Sequence, residues 1–236
     1  AFGDEILTVG FDGEAGREVV FVDPADGTLE TVVGLLFREL LHGVEVAVCH
    51  PAKVGGRVSG KSVEIGELQV APGKVGCVGI DSAFALDLSQ IVDFSRSTQT
   101  LLDEQRPTID IDYVTKGVTV SLQLSLTPTR KHHLLGRFLR RDYEAVKADL
   151  VGLDLPRPAF QALVRLYSLE GTASPGSLVS DGAVSTQKLV RGLLKADLVE
   201  ARDGEVALTP RGWILVAEHV GTGDVDPDAS LQASSG

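Results

Sequence analysis

Residues 129–150, TRKHHLLGRFLRRDYEAVKADL, set the tightest constraint on what this chain can fold into. At 100° per residue, Leu135, Phe138, Leu139, Tyr143, Val146 and Leu150 fall on one side of a helix. Arg137, Arg140, Arg141, Glu144 and Lys147 fall on the other. The spacing predicts an amphipathic helix with a solvated, mostly basic back. The segment before it, Val118 to Leu126, alternates with period two, so the helix is expected to lie across the sheet that this strand joins. Asp142 breaks the pattern by pointing into the apolar stripe. A buried carboxylate without a partner is costly, so a hydrogen-bonding partner is expected there.

This helix has an earlier echo at an offset of 102 residues. Gly34 matches Gly136, Val33 matches Leu135, Leu36 matches Phe138, Arg38 matches Arg140 and Leu41 matches Tyr143. Upstream, Leu7, Val9 and Phe11 match Ile109, Ile111 and Tyr113. A strand, strand, helix unit therefore occurs twice, and a period this long predicts tandem domains and not a solenoid. Nothing in the sequence precedes the last two strands of the first copy, so the chain is expected to begin mid-domain. The absence of any Met agrees with that expectation.

With 236 residues the chain has room for one to three domains. No apolar run is long enough to span a bilayer, and no signal peptide is visible. Cys49 and Cys77 make neither a disulfide framework nor a metal-ligand pair, which makes a reducing cytoplasm the default. The five histidines are scattered without ligand spacing, so no metal or other cofactor is expected. The net charge of −11 disfavours nucleic acid and anionic membranes as primary partners.

Along the chain, Ile6 to Phe11 and Glu18 to Val22 read as strands around the turn Asp12 to Gly16, and Asp23-Pro24 ends the second. The helix Leu29 to Leu41 follows and must bury Val33, Leu36, Phe37 and Leu40. Val44, Val46 and Val48 alternate until His50-Pro51 interrupts them. Proline removes a ladder donor, so a bulge or bend, and not a central strand, is expected there. Val63 to Val70, Lys74 to Ile80, Phe84 to Leu88 and Ile91 to Ser95 read as short strands. A polar loop, Thr100 to Pro107, leads to strands Thr108 to Val114 and Val118 to Leu126. About seven antiparallel strands closed by one C-terminal helix is the plan of a pleckstrin-homology-like fold, in which the helix covers one open end.

After a short linker come a helix from Phe160 to Leu169, a second opened by Ser174-Pro175 and ended by Gly182, and a third from Thr186 to Asp197 capped by Ser185. A hairpin around Asp203-Gly204 and a last helix capped by Thr209-Pro210 complete a winged helix. The expected fold class is thus α+β. It comprises the end of a first pleckstrin-like module over 1–42, a second over 43–150, a winged helix over 155–220 and a flexible tail over 221–236.

The candidate sites are surfaces. Lys188, Arg191 and Lys195 share one face of the third winged-helix helix, as in a major-groove reader. Asp197, Glu200, Asp203 and Glu205 sit on or near the wing, where phosphates would have to approach, which favours a protein contact. Lys53, Arg57 and Lys61 cluster around a glycine-rich loop but lack phosphate-loop spacing, and Glu64 and Glu67 follow closely. A basic loop of this kind leaves lipid binding as an alternative function, and the winged helix leaves transcription regulation as another. His132 and His133 open the long helix without a nucleophile and are expected to contact solvent or backbone. His50, before proline, reads as structural, and Trp213 as filling the core under the wing. No nucleophile, base and orienting group can be assembled, so no enzyme is expected.

Several stretches together resemble one family, the archaeal chemotaxis adaptor CheF. They are LLFRELLHG at 35–43, HPAKVGGRV at 50–58, FALDLSQIVDF at 84–94, LGRFLRRDYEAVKADL at 135–150, LVRLYSLEG at 163–171 and LTPRGWILVAEHV at 208–220. The resemblance implies a non-enzymatic cytoplasmic adaptor that links the phosphorylated response regulator CheY to switch proteins of the archaeal motility motor and contacts other chemotaxis proteins. It transfers no catalytic residue. The partner-facing candidates remain those read from the residues: Arg137, Arg140, Arg141 and Lys147 on the long helix, and Lys188, Arg191 and Lys195 on the winged-helix face.

Overall fold

A computed structural model describes residues 7–14, 16–22, 29–79, 83–178 and 185–221. The turn at Asp23-Pro24, the turn at Asp81-Ser82, the stop at Gly182 and the tail from 222 onward lie outside the described residues.

The chain is α+β, with antiparallel sheets and five α-helices among the described residues. β1 (Leu7–Gly13) and β2 (Gly16–Val22) form a hairpin, and α1 (Leu29–Leu41) follows. The large sheet is built from β3 (Glu45–Val54), β4 (Arg57–Val58), β5 (Glu64–Ala71), β6 (Lys74–Gly79), β7 (Ala83–Asp87), β8 (Ile91–Leu101), β9 (Glu104–Thr115) and β10 (Val118–Leu126). Its order is β7-β6-β5-β3-β10-β9-β8, with β4 paired to the end of β3. The long helix α2 (Thr129–Leu150) buries Leu135, Phe138, Leu139, Tyr143 and Leu150, the stripe that the spacing predicts.

The 102-residue echo is reproduced in the strand register. β1 and β2 pair Leu7 with Val22 and Gly13 with Gly16. β9 and β10 pair Ile109 with Leu124 and Thr115 with Val118, the same positions shifted by 102. Burial separates the two copies. Ile109, Ile111, Leu122 and Leu124 are completely buried between sheet and helix, whereas Val20 is 46% and Phe21 66% exposed. α1 lies against α2 and β5, with the Phe37 and Phe138 rings 5.5 Å apart. Leu41 fills the core at this contact, while Leu40, expected to be buried, stands exposed. The helix meets its neighbours through its C-terminal end, which turns Leu41 inward.

Two expectations about strands are corrected. β3 runs straight through His50-Pro51 and is the middle strand of the sheet, between β5 and β10. The bulge is there: Gln123 faces Cys49 and Ser121 faces Lys53, so β3 carries extra residues at this point. Proline is tolerated because β5 pairs only as far as Val48 and β4 takes over at Lys53, so no ladder donor is required at Pro51. Likewise, Thr100 to Pro107 is not a loop. β8 and β9 continue to a two-residue turn at Leu102-Asp103, both with positive φ (53° and 64°), as a tight hairpin turn requires. The segment is polar because β8 is the outermost strand of the sheet. Its Ser97 and Gln99 side chains bond Asp110, at 2.5 Å and 2.9 Å, and Gln123 donates to Asp110 at 2.9 Å.

Beyond α2 lie α3 (Arg157–Ser168), β11 (Thr172–Ala173), a short 3-10 turn at Pro175–Leu178, α4 (Thr186–Lys195), β12 (Val199–Arg202), β13 (Glu205–Leu208) and α5 (Pro210–Gly221). The strands form a small sheet in the order β11-β13-β12. Ser174-Pro175 opens only this 3-10 turn within the described residues, not a regular helix. Thr209 caps α5 as expected: its hydroxyl donates to the Asp197 carbonyl (2.7 Å) and accepts from the Gly212 amide (3.2 Å). Gly171, at φ +88°, lets the Trp213 ring approach so closely that a Cβ there would lie 2.5 Å from it. Trp213 also packs on Tyr167, 4.9 Å between centroids, and is partly buried as expected.

Candidate partner-binding surfaces

On α2 the four predicted cations span about 120° of the helix circumference. They are not bare. Arg140 Nε donates to Glu144 Oε1 at 2.9 Å, one turn on, and Arg141 Nε donates to Asp142 Oδ1 at 3.0 Å. Asp142 thereby finds the partner its position demanded, in its own neighbour. Lys147 reaches off the helix to Glu218 Oε1 of α5 at 2.8 Å, with its ammonium 5.5 Å from the Tyr143 ring centre. Arg137 is exposed. A second pair, Arg211 with Asp149 at 3.5 Å, also joins α5 to α2.

Arg140 and Lys147 line a groove of about 370 Å³ between β8, α2 and α5, together with Asp93, Phe94, Arg96, Tyr143, Glu144 and Glu218. The charges on its wall alternate in sign. Burial raises the Asp93 carboxyl above its ordinary value, with Asp112 and Glu218 adding to it against the Phe94 amide and Lys147. Burial, and then Asp93, pushes the Tyr143 hydroxyl up to about 12. Asp93, Arg96 and Glu218 were missed in the sequence because the groove draws on segments 44 to 125 residues apart. One signal was legible: Gly136 within the helix. A Cβ there would lie 2.5 Å from Arg96 Nη2, so glycine admits the guanidinium against α2.

Lys188, Arg191 and Lys195 are all exposed on α4. Arg191 borders a shallow, mainly apolar groove of about 550 Å³ lined by Pro175, Gly176, Val190 and Leu194. The two predicted cationic faces thus lie on different helices, one on α2 and one on α4.

Two of the histidines are built in. His50 stacks on Phe84, 4.1 Å between centroids, and its Nε2 is 2.7 Å from the Tyr113 hydroxyl. Burial lowers its pKa, against the opposing charge of Glu64. His132 is only 2% exposed and its Nδ1 has no partner among the described residues. It faces the protein and not solvent, because the first turn of α2 already lies on the sheet. Among the described residues no group of three or more His, Cys, Asp or Glu could hold a metal ion, and no helix is long and apolar enough to cross a membrane.

Comparison with known proteins points one way. The family described as Archaeal Chemotaxis signal transduction system protein F matches residues 2–145. The Taxis protein CheF2 of Halobacterium salinarum is 29% identical over 219 residues, covering 93% of this chain and 76% of that protein. No solved structure matches.

Proposed function

Because this chain belongs to the family of the archaeal chemotaxis signal transduction system protein F, we propose that it is a non-enzymatic cytoplasmic adaptor. It connects the phosphorylated response regulator CheY to the switch proteins of the archaeal motility motor, alongside other chemotaxis proteins. Its parts are a pleckstrin-homology-like module over 43–150, the matching end of another over 1–42, and a winged helix over 155–220. The strand order of the large sheet, with α2 after its last strand, supports the first assignment. The shared register at an offset of 102 supports the second. The order α3, α4, hairpin, α5 supports the third.

The observation that carries the partner assignment is the extent of the family match. Residues 2–145 include Arg137, Arg140 and Arg141 and leave out Lys147 and the cations of α4. A response regulator presents acidic groups at its phosphorylation site, and arginine meets carboxylate or phosphate with two parallel hydrogen bonds. Arg140 and Arg141 are held by partly exposed carboxylates on their own helix, and such pairs contribute little, about 0–1 kcal/mol. A partner can therefore take these arginines over at small cost. Surface acids on the wing, at Glu200, Asp203 and Glu205, oppose a duplex bound at α4.

The test is binding of purified CheY, with and without a phosphate mimic, to the chain and to the double variant Arg140→Glu, Arg141→Glu. The expected result is at least about a tenfold loss of affinity with a nearly unchanged melting temperature, and a loss with added salt in the unaltered chain. Unchanged affinity in the variant would remove this face from the CheY contact.

A further inference from the structure

We propose that Arg96 of β8, seated on Gly136 of α2, joins Arg140 in holding one carboxylate of an acidic protein partner. This rests on the proposed contact between the α2 face and such a partner, and it adds the residue that sets the direction of approach. Glycine inside a helix is less favourable than alanine, because its backbone loses more freedom on folding. Gly136 nevertheless stands well inside the 22 residues of α2, and it is buried. Arg96 lies over it. A Cβ at Gly136 would be 2.5 Å from Arg96 Nη2, 3.2 Å from Cζ and 3.3 Å from Nε, the three nearest atoms.

The strand register puts Arg96 there. It pairs with the buried Ile109, so its side chain leaves the outermost strand on the side that α2 covers. The guanidinium carbon passes 6.0 Å from the centre of the Phe94 ring on its way to the helix. Gly136 and Arg140 are one turn apart, a spacing of about 5–6 Å between side-chain positions. The Arg96 guanidinium over Gly136 is therefore a neighbour of Arg140, and both line the groove between β8, α2 and α5.

Two like charges this close repel. Arg140 has Glu144 one turn further on, but among the described residues no carboxylate lies within ion-pair distance of Arg96. Asp93 and Glu218, on the wall of the same groove, stand beside Lys147, two turns beyond Arg140. The arginine pair is thus one anion short, and both side chains are exposed. Guanidinium forks grip a carboxylate through parallel hydrogen bonds. Two forks from different elements restrict its approach more than one helix face does. The first copy of the repeat supplies a control. Gly34 and Arg38 match Gly136 and Arg140 at the offset of 102, yet a Cβ at Gly34 meets nothing within 4 Å among the described residues.

The experiment is binding of purified CheY carrying a phosphate mimic to the full chain and its variants, at about 0.1 M salt. Arg96→Gln is expected to weaken binding about tenfold. Gly136→Ala removes no charge but pushes the guanidinium off the helix. It should weaken binding roughly threefold or more, with a melting temperature equal to or above that of the unaltered chain. Gly34→Ala should leave affinity unchanged. Arg96→Gln combined with Arg140→Gln should weaken binding by less than the product of the single effects, since both arginines hold one group. Single effects that simply multiply would place them on separate groups and overturn the proposal. So would unchanged affinity in Arg96→Gln or Gly136→Ala while Arg140→Glu with Arg141→Glu weakens binding, a result that leaves the α2 face as the contact. Unchanged affinity in that double reversal as well would remove both. Self-association of Arg96→Gln with unaltered CheY binding would make Arg96 a guard of the outer strand edge and overturn its role in binding.

Discussion

His132 shows how one side chain couples this fold to pH. Burial, helped by the charges of His133 and Arg96, holds its imidazole below the ordinary value of 6.5. The folded state keeps the ring neutral, while the unfolded chain binds a proton near 6.5. The unfolded state therefore gains protons first on acidification. The stability linked to this group is complete above 6.5 and declines as pH falls through that value. His50, lowered in the same direction, contributes with the same sign. His132→Leu is expected to flatten the decline of the urea midpoint between about pH 6.5 and pH 5 without removing it, since His50 remains. An unchanged slope would mean that His132 carries none of it. Neither effect was legible in the sequence, where two histidines at a helix start read as contacting solvent or backbone. The burial of His132 depends on how close the first turn of α2 sits to the sheet.

At the scale of elements, α2 joins the parts of the molecule. Its apolar stripe covers the large sheet, Phe138 meets Phe37 of α1, and Lys147 and Asp149 hold α5. The stripe itself was readable from the 3.6-residue period, because burial on one side of a helix leaves that period in the sequence. Phe138 is 2% exposed, so Phe138→Ala is expected to cost about 3–5 kcal/mol in chemical denaturation. A loss below about 1 kcal/mol is what a surface position would give and would contradict the packing described. The basic back was also readable, but not its pairing. A helical wheel shows that Lys147 points outward without showing that Glu218, 71 residues later, stands opposite. The strand ends were the other gap. β8 and β9 extend through a polar stretch because an edge strand needs an apolar partner on neither face at its tip, so the alternation that marks a strand fades there.

For the whole molecule, the two copies of the strand, strand, helix unit form an internal control. Their hairpins share one register, but β9 and β10 lie inside a seven-strand order while β1 and β2 pair, among the described residues, only with each other. Protection against hydrogen exchange follows burial and cooperativity more than local hydrogen bonding. Amides of β1–β2 are therefore expected to exchange roughly two or more orders of magnitude faster than those paired at the same positions in β9–β10. Equal protection would show that the first hairpin belongs to the same cooperative unit as the second. By itself the sequence determined the two-fold repeat, the helix stripe and most strands. These rest on periods of two and 3.6 residues and on spacing within short segments, which local sterics impose. The tertiary structure alone decided that β3 is central despite Pro51, that Leu41 and not Leu40 is buried, and that Arg140 and Lys147 share a groove with Asp93 and Glu218. Each of these depends on which distant segment lies opposite, and contacts across the chain leave no period along it.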